Sequence, residues 1–75
     1  RVVHLHDLPT EVRRELPPIA IGGSVYSQNR SDRLVIINGR PFQEGERPAP
    51  QLTLESIQPK HAVFRFRDYL VQVPY

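Results

Sequence analysis

Few residues in this chain are of types that could do chemistry. His4 and His6 stand two apart, so an extended segment would present both from one side, as a metal pair requires. No third ligand is near them in sequence, and zinc sites take three or four. His61 stands alone in a predicted turn. Ser24, Ser27, Ser31 and Ser56 could serve as nucleophiles only beside a base and its orienting carboxylate, and none lies in a strained-turn motif. Glu44, Glu46 and Glu55 could form a carboxylate pair for glycoside hydrolysis, but that chemistry needs a longer cleft than so short a chain readily builds. Gly22-Gly23 lacks the following helix and lysine of a phosphate loop. The pair fits a bulge, or a place where another backbone comes close. These residues predict a protein that is not an enzyme and that carries no cofactor and no metal.

The elements that hold them must fit in 75 residues, which is one domain. Such a chain buries only about 60–65% of its extended surface, leaving little room for an internal cavity. There is no cysteine, so disulfides and thiolate metal sites are excluded. Ten basic against eight acidic residues give a net charge of +2, a weak overall field. Arg13, Arg14, Arg33, Arg40, Arg47, Arg65 and Arg67 are scattered among acids rather than gathered in one run. No stretch approaches the roughly 20 apolar residues of a membrane span. The chain starts at Arg1, so the expectation is a piece of a longer protein with any anchor upstream.

Along the chain, Arg1 to His6 has no period and reads as a linker end or a weak extended segment. Asp7-Leu8-Pro9-Thr10-Glu11 predicts a helix start with Asp7 as cap. Leu8, Val12 and Leu16 form one apolar stripe, and Pro17-Pro18 ends the helix by Leu16. From Ile19 the pattern turns to strands. Ile19, Ile21, Gly23 and Val25 alternate with Ala20, Gly22, Ser24 and Tyr26. Arg33 to Ile37 is an unbroken β-branched run, the mark of a strand buried on both faces. Asn38-Gly39 predicts a tight hairpin to a return strand over Pro41 to Gln43. Further strands follow at Leu52 to Ile57, Ala62 to Arg67 and Tyr69 to Val73. The expected fold is all-β: a small five- to six-stranded β-barrel or two-sheet sandwich with a short N-terminal helix. Residues 1–16 are the linker end and helix, and residues 17–75 the β-domain. The expected core is Ile21, Val25, Leu34, Ile36, Leu54, Ile57, Phe64, Phe66 and Val71.

Aromatic residues near arginines (Tyr26, Phe64, Arg65, Phe66, Arg67, Tyr69) admit a second class of function, a small barrel binding single-stranded nucleic acid. Stacking needs exposed rings, however, and Phe64 and Phe66 share one strand face with Ala62, which predicts core.

Several segments together resemble a known family. They are Gly23-Ser24-Val25-Tyr26-Ser27, Arg33-Leu34-Val35-Ile36-Ile37-Asn38-Gly39-Arg40, Glu44-Gly45-Glu46, Leu54-Glu55-Ser56-Ile57 and Ala62-Val63-Phe64-Arg65-Phe66. Their order and spacing resemble the C-terminal periplasmic domain of the B component of type II secretion systems, general secretion pathway protein B. They are similar, more weakly, to the homology region of the C component and to the β-domain of pilus-assembly lipoproteins. The resemblance covers Leu16 to Pro74. It departs from the family pattern at Pro48, where an apolar residue is usual, and near Gln51 and at Asp68, where glycine is common. The resemblance implies a periplasmic domain of an inner-membrane-anchored protein, tied to the membrane only through an upstream helix. It implies the periplasmic N-terminal domains of the secretin, the outer-membrane channel subunit, as partner, and a scaffolding or assembly role. Nucleic acid is not an expected partner; weak self-association is possible.

The residues also suggest how such a partner would be held. Pro17-Pro18 cannot donate backbone hydrogen bonds, so the strand that follows is expected to be open on one side. The expected partner-binding residues are Ile19, Ala20, Ile21, Gly22, Gly23, Ser24 and Arg33. The segment would add as a strand to a sheet edge of the partner, its small residues admitting a foreign backbone and its isoleucines filling pockets. Arg33 would pair with a carboxylate at the rim. Gly22 is the expected pairing amide, and Tyr69 to Val73 the other candidate edge.

Overall fold

The computed structural model describes residues 1–75. Seven strands form two sheets, a sandwich rather than a closed barrel. The four-stranded sheet has the order β1-β7-β6-β5, from Val2–His4, Tyr69–Pro74, His61–Phe66 and Leu52–Ile57. The three-stranded sheet is β2-β3-β4, from Ile21–Val25, Leu34–Ile37 and Arg40–Phe42. One apolar cluster joins them, with Val35 and Ile37 from the smaller sheet against Leu52, Leu54, Ile57, Ala62, Phe64, Phe66, Val71 and Val73 from the larger.

The N-terminal segment is built into the fold. Val2–His4 pairs in parallel with Leu70–Gln72, so it is a strand and not a loose linker end. A 3-10 turn at Leu5–Asp7 leads to α1, Thr10–Glu15. Asp7 does not cap the helix: Pro9 stands at the cap position, and its carbonyl accepts the Arg13 amide at 2.9 Å. The apolar stripe docks as expected, with Leu8 buried and Val12 and Leu16 against the core. That contact stabilises a helix of six residues, too short to persist alone.

Two of the expected core strands are phased differently. Val35 and Ile37 are buried, while Leu34 and Ile36 are only half-buried. The smaller sheet is covered by the other sheet on one face only, and an unbroken β-branched run carries no sign of which face that is. Val25 is 50% exposed for a different reason. The β2–β3 register shifts between Ile21 and Gly23, so a bulge at the glycines inserts one residue. Ile21 pairs with inward-facing Ile37 before the bulge, but Val25 pairs with outward-facing Leu34 after it. The alternation expected from Ile19 to Val25 therefore breaks in mid-strand.

The β3–β4 hairpin forms as expected, with Ile37 opposite Arg40 and φ of +52° at Asn38 and +83° at Gly39. A Cβ on Gly39 would meet nothing within 4 Å, so any cost of a side chain there is a backbone cost. Gly39→Val is expected to destabilise by about 1–2 kcal/mol, because a β-branched residue is strained at positive φ. Urea unfolding of Gly39→Val beside Gly39→Asn checks this: the asparagine variant should lose clearly less.

Candidate functional site

The open edges of the two sheets are the first place to look for a binding site. β5 is closed by a loop: Gly45 donates to the Leu54 carbonyl at 2.7 Å, and the Leu54 amide donates to the Glu46 carbonyl at 2.9 Å. The Glu44 carboxylate takes the Ile57 amide of the same edge at 2.7 Å. β4 has three residues and contains Pro41, which blunts its edge. β7 lies between β1 and β6, so Tyr69 to Val73 is not the free edge that the sequence suggested. β2 is an edge strand of five residues, and no loop or turn forms a backbone hydrogen bond with Ile21–Val25.

Register fixes which amides of β2 point outward. Ile37 faces Arg40 across a two-residue turn and so directs its N–H and C=O to β4. Ile36 and Leu34 then face β2, where they meet Gly23 and Val25. By the same alternation, Ile21 and Ser24 turn their amides away from β3, toward the open side. Gly22 lies at the bulge, against Ile36, and is not the outward amide that the sequence suggested. A Cβ on Gly22 would meet Ile36 Cγ2 at 3.5 Å, an ordinary contact, and its φ is not positive. Internal packing therefore does not require glycine there.

The other expected binding residues are distributed as follows. Ile19 and Ile21 pack against the domain's own core, so their side chains are not free to fill a partner's pockets. Ala20 is held by Asn38, whose Oδ1 accepts the Ala20 amide at 2.9 Å and whose backbone N–H donates to the Ala20 carbonyl at 2.8 Å. The Asn38 Nδ2 group also donates to the Pro18 carbonyl at 2.8 Å. One turn residue thus fixes the entry to β2, a role that a hairpin signal alone does not reveal. Gly22 and Ser24 are exposed and Gly23 half-buried. Val25, expected in the core, and Tyr26 follow as exposed apolar surface.

Arg33 is not at the rim. Its side chain is 12% exposed, lies 4.5 Å from the centre of the Tyr26 ring and donates to the Ser27 carbonyl at 2.6 Å. It also meets the Glu44 carboxylate at 3.5 Å, and Arg30 meets the same carboxylate at 2.8 Å. Burial would raise the Glu44 carboxyl, but the Ile57 amide and the two guanidinium groups outweigh it and hold it below its ordinary value of 4.5. Tyr75 adds a second tie, donating its phenol to the Gln58 carbonyl at 2.8 Å, and burial raises that phenol above its usual range.

Elsewhere the reactive side chains do not converge. His4 and His6 stack at 5.5 Å, and no three His, Cys, Asp or Glu side chains group as metal ligands would. Phe64 and Phe66 lie inside the core, so they offer no stacking surface to bases. No helix is long and apolar enough to cross a membrane.

Fold and edges define a small two-sheet β-sandwich domain whose longest open edge strand is β2, with five residues against three each in β1 and β4. Residues 16–75 match the family model described as type II secretion system protein B, and the chain belongs to that family. It is 40% identical over 58 residues to general secretion pathway protein B of Aeromonas hydrophila, covering 77% of this chain and 26% of that protein. It is 35% identical over 51 residues to the protein of the same name from Klebsiella pneumoniae, covering 68% of this chain and 29% of the relative. The crystal structure of Dickeya dadantii GspB from the type 2 secretion system superposes with a TM-score of 0.73 at 28% identity, covering 75% of this chain and 67% of that one. The chain spans only 24–29% of the length of the curated relatives it matches.

Proposed function

We propose that this domain docks the periplasmic N-terminal domains of the secretin by strand addition through β2. It acts as a scaffold in secretin assembly, from the periplasmic side of an inner-membrane-anchored protein. Membership of the family supports the secretion-system setting. The observation that carries the docking mode is the open edge of β2, with the outward amides of Ile21 and Ser24. Main-chain hydrogen bonds supply affinity in this mode. Exposed Val25 and Tyr26 supply apolar contact beside them. Ile19 and Ala20 set the strand's entry, Gly22 and Gly23, which carry no side chain, let a partner strand approach, and Arg33 stiffens the turn that follows.

The test compares Ser24→Pro with Ser24→Ala in binding to isolated secretin N-terminal domains. Both variants lose the hydroxyl, but only proline loses the outward amide. Proline on the open side of an edge strand leaves the internal ladder intact. The expectation is a loss of about tenfold or more for proline and little change for alanine, with one pairing bond and its neighbours disrupted. A folded Ser24→Pro domain that binds as tightly as the unaltered one removes β2 pairing from the mechanism.

A further inference from the structure

We propose that the cleft on the outer face of β5 and β6 is a carboxylate-binding site for an acidic peptide segment of a partner protein. The cleft encloses about 490 Å³ and is lined by Arg47, Gln51, Thr53, Arg65 and Arg67, with no apolar side chain. It lies on the sheet that does not contain β2. The site is therefore separate from the strand edge proposed above.

Three elements build it. Thr53 and Arg65 stand directly opposite each other on β5 and β6, on the face away from the core. Arg67 comes from the β6–β7 turn, its guanidinium 5.6 Å from the centre of the Phe66 ring. Arg47 and Gln51 come from the loop before β5. Two of these residues hold backbone conformations that L-residues seldom adopt: φ is +65° at Gln51 and +55° at Arg67. Both are turn positions: Arg67 lies in the two-residue β6–β7 hairpin, where Phe66 faces Tyr69, and Gln51 follows Pro50 in a turn closed by the Leu52 amide on the Ala49 carbonyl at 3.1 Å. The two turns set Gln51 and Arg67 at the rim of the cleft.

The chemistry of the ligand follows from what these arginines already hold. Arg65 Nε meets Glu55 at 3.1 Å, and Arg67 meets Glu15. Each guanidinium has five N–H donors, so one flanking carboxylate leaves donors open toward the cleft. Arg47 forms no ion pair and no hydrogen bond with any residue of the chain. Gln51 and Thr53 add neutral hydrogen-bonding groups. Forked guanidinium donors match planar carboxylates, two bonds at a time. Without an apolar or aromatic lining, the cleft has nothing to insert among acyl chains and nothing for bases to stack on.

Amide-resolved NMR titration with acetylated, amidated hexaglutamate tests this, with hexaglutamine as the neutral control. Hexaglutamate alone should shift residues 47, 51, 53, 65 and 67, and added salt should reverse the shifts. Arg47→Gln should weaken binding about tenfold without changing the melting temperature, since Arg47 has no partner within the fold. Arg40→Gln, on β4, should bind like the unaltered protein. The proposal is overturned if hexaglutamate leaves the cleft unmoved, or if Arg40→Gln weakens binding as much as Arg47→Gln. It is also overturned if phosphatidylglycerol vesicles or single-stranded oligothymidylate bind the domain while hexaglutamate does not.

Discussion

Replacing Phe64 with alanine is expected to lower stability by about 3–5 kcal/mol, the usual cost of removing a buried aromatic ring. Phe64 is fully buried on β6, a strand paired on both sides. It stands between Leu54 on β5 and Val71 on β7, both themselves fully buried. Backbone ladders on both sides limit how far the surroundings can collapse, so much of the ring volume should remain as a cavity. Phe66, one turnover of the pleat along, is 2% exposed and sits at the end of the strand beside the β6–β7 turn. It has more freedom to relax, and Phe66→Ala should cost less than Phe64→Ala. Small domains have only about 5 kcal/mol or a little more to lose. The Phe64 variant should therefore be largely unfolded, or close to it, at 37 °C. Urea titrations with a far-UV signal measure both. A Phe64→Ala protein melting within a degree or two of the unaltered chain would place that ring outside the core's supporting framework.

Glu44→Ala should be nearly as damaging, at about 2–4 kcal/mol, although it removes a surface-type residue. The Glu44 side chain is 9% exposed and holds three donors from two segments: Arg30 and Arg33 from one, the Ile57 amide from the other. Two belong to the approach to β3 and the third to β5, so the carboxylate ties one sheet to the other. Alanine leaves the Ile57 amide and a mostly buried guanidinium without their acceptor. Glu44→Gln keeps the shape and one acceptor, and should lose less. The pH dependence has a definite sign. A carboxyl held below its ordinary value contributes stability that is fully present above the unfolded value, about 4.5, and disappears as pH falls through the folded value. The acid limb of the stability curve should therefore be steeper for the unaltered protein than for Glu44→Gln. Parallel acid limbs would mean that the Glu44 charge contributes nothing.

The sequence by itself determined most of the elements and the family. Asn38-Gly39 specified its hairpin because few residue pairs tolerate two successive positive φ values. Pro17-Pro18 ended the helix by Leu16, because proline restricts the residue before it. Ala62, Phe64 and Phe66 were legible as core because they alternate with Arg65 and Arg67, so polarity marks the phase. Where that marking is missing, only the tertiary structure decided. Leu34 to Ile37 is apolar at every position, and its inner face was settled by which side the second sheet covers. The bulge at Gly22-Gly23 reversed the faces of β2 beyond it, which exposed Val25 and turned the Ser24 amide to the same open side as that of Ile21. Arg33 was drawn inward because Glu44, eleven positions later, lies beside it once β3 and β4 fold back. Strand partners are chosen across the chain by burial and register, and a local pattern contains neither.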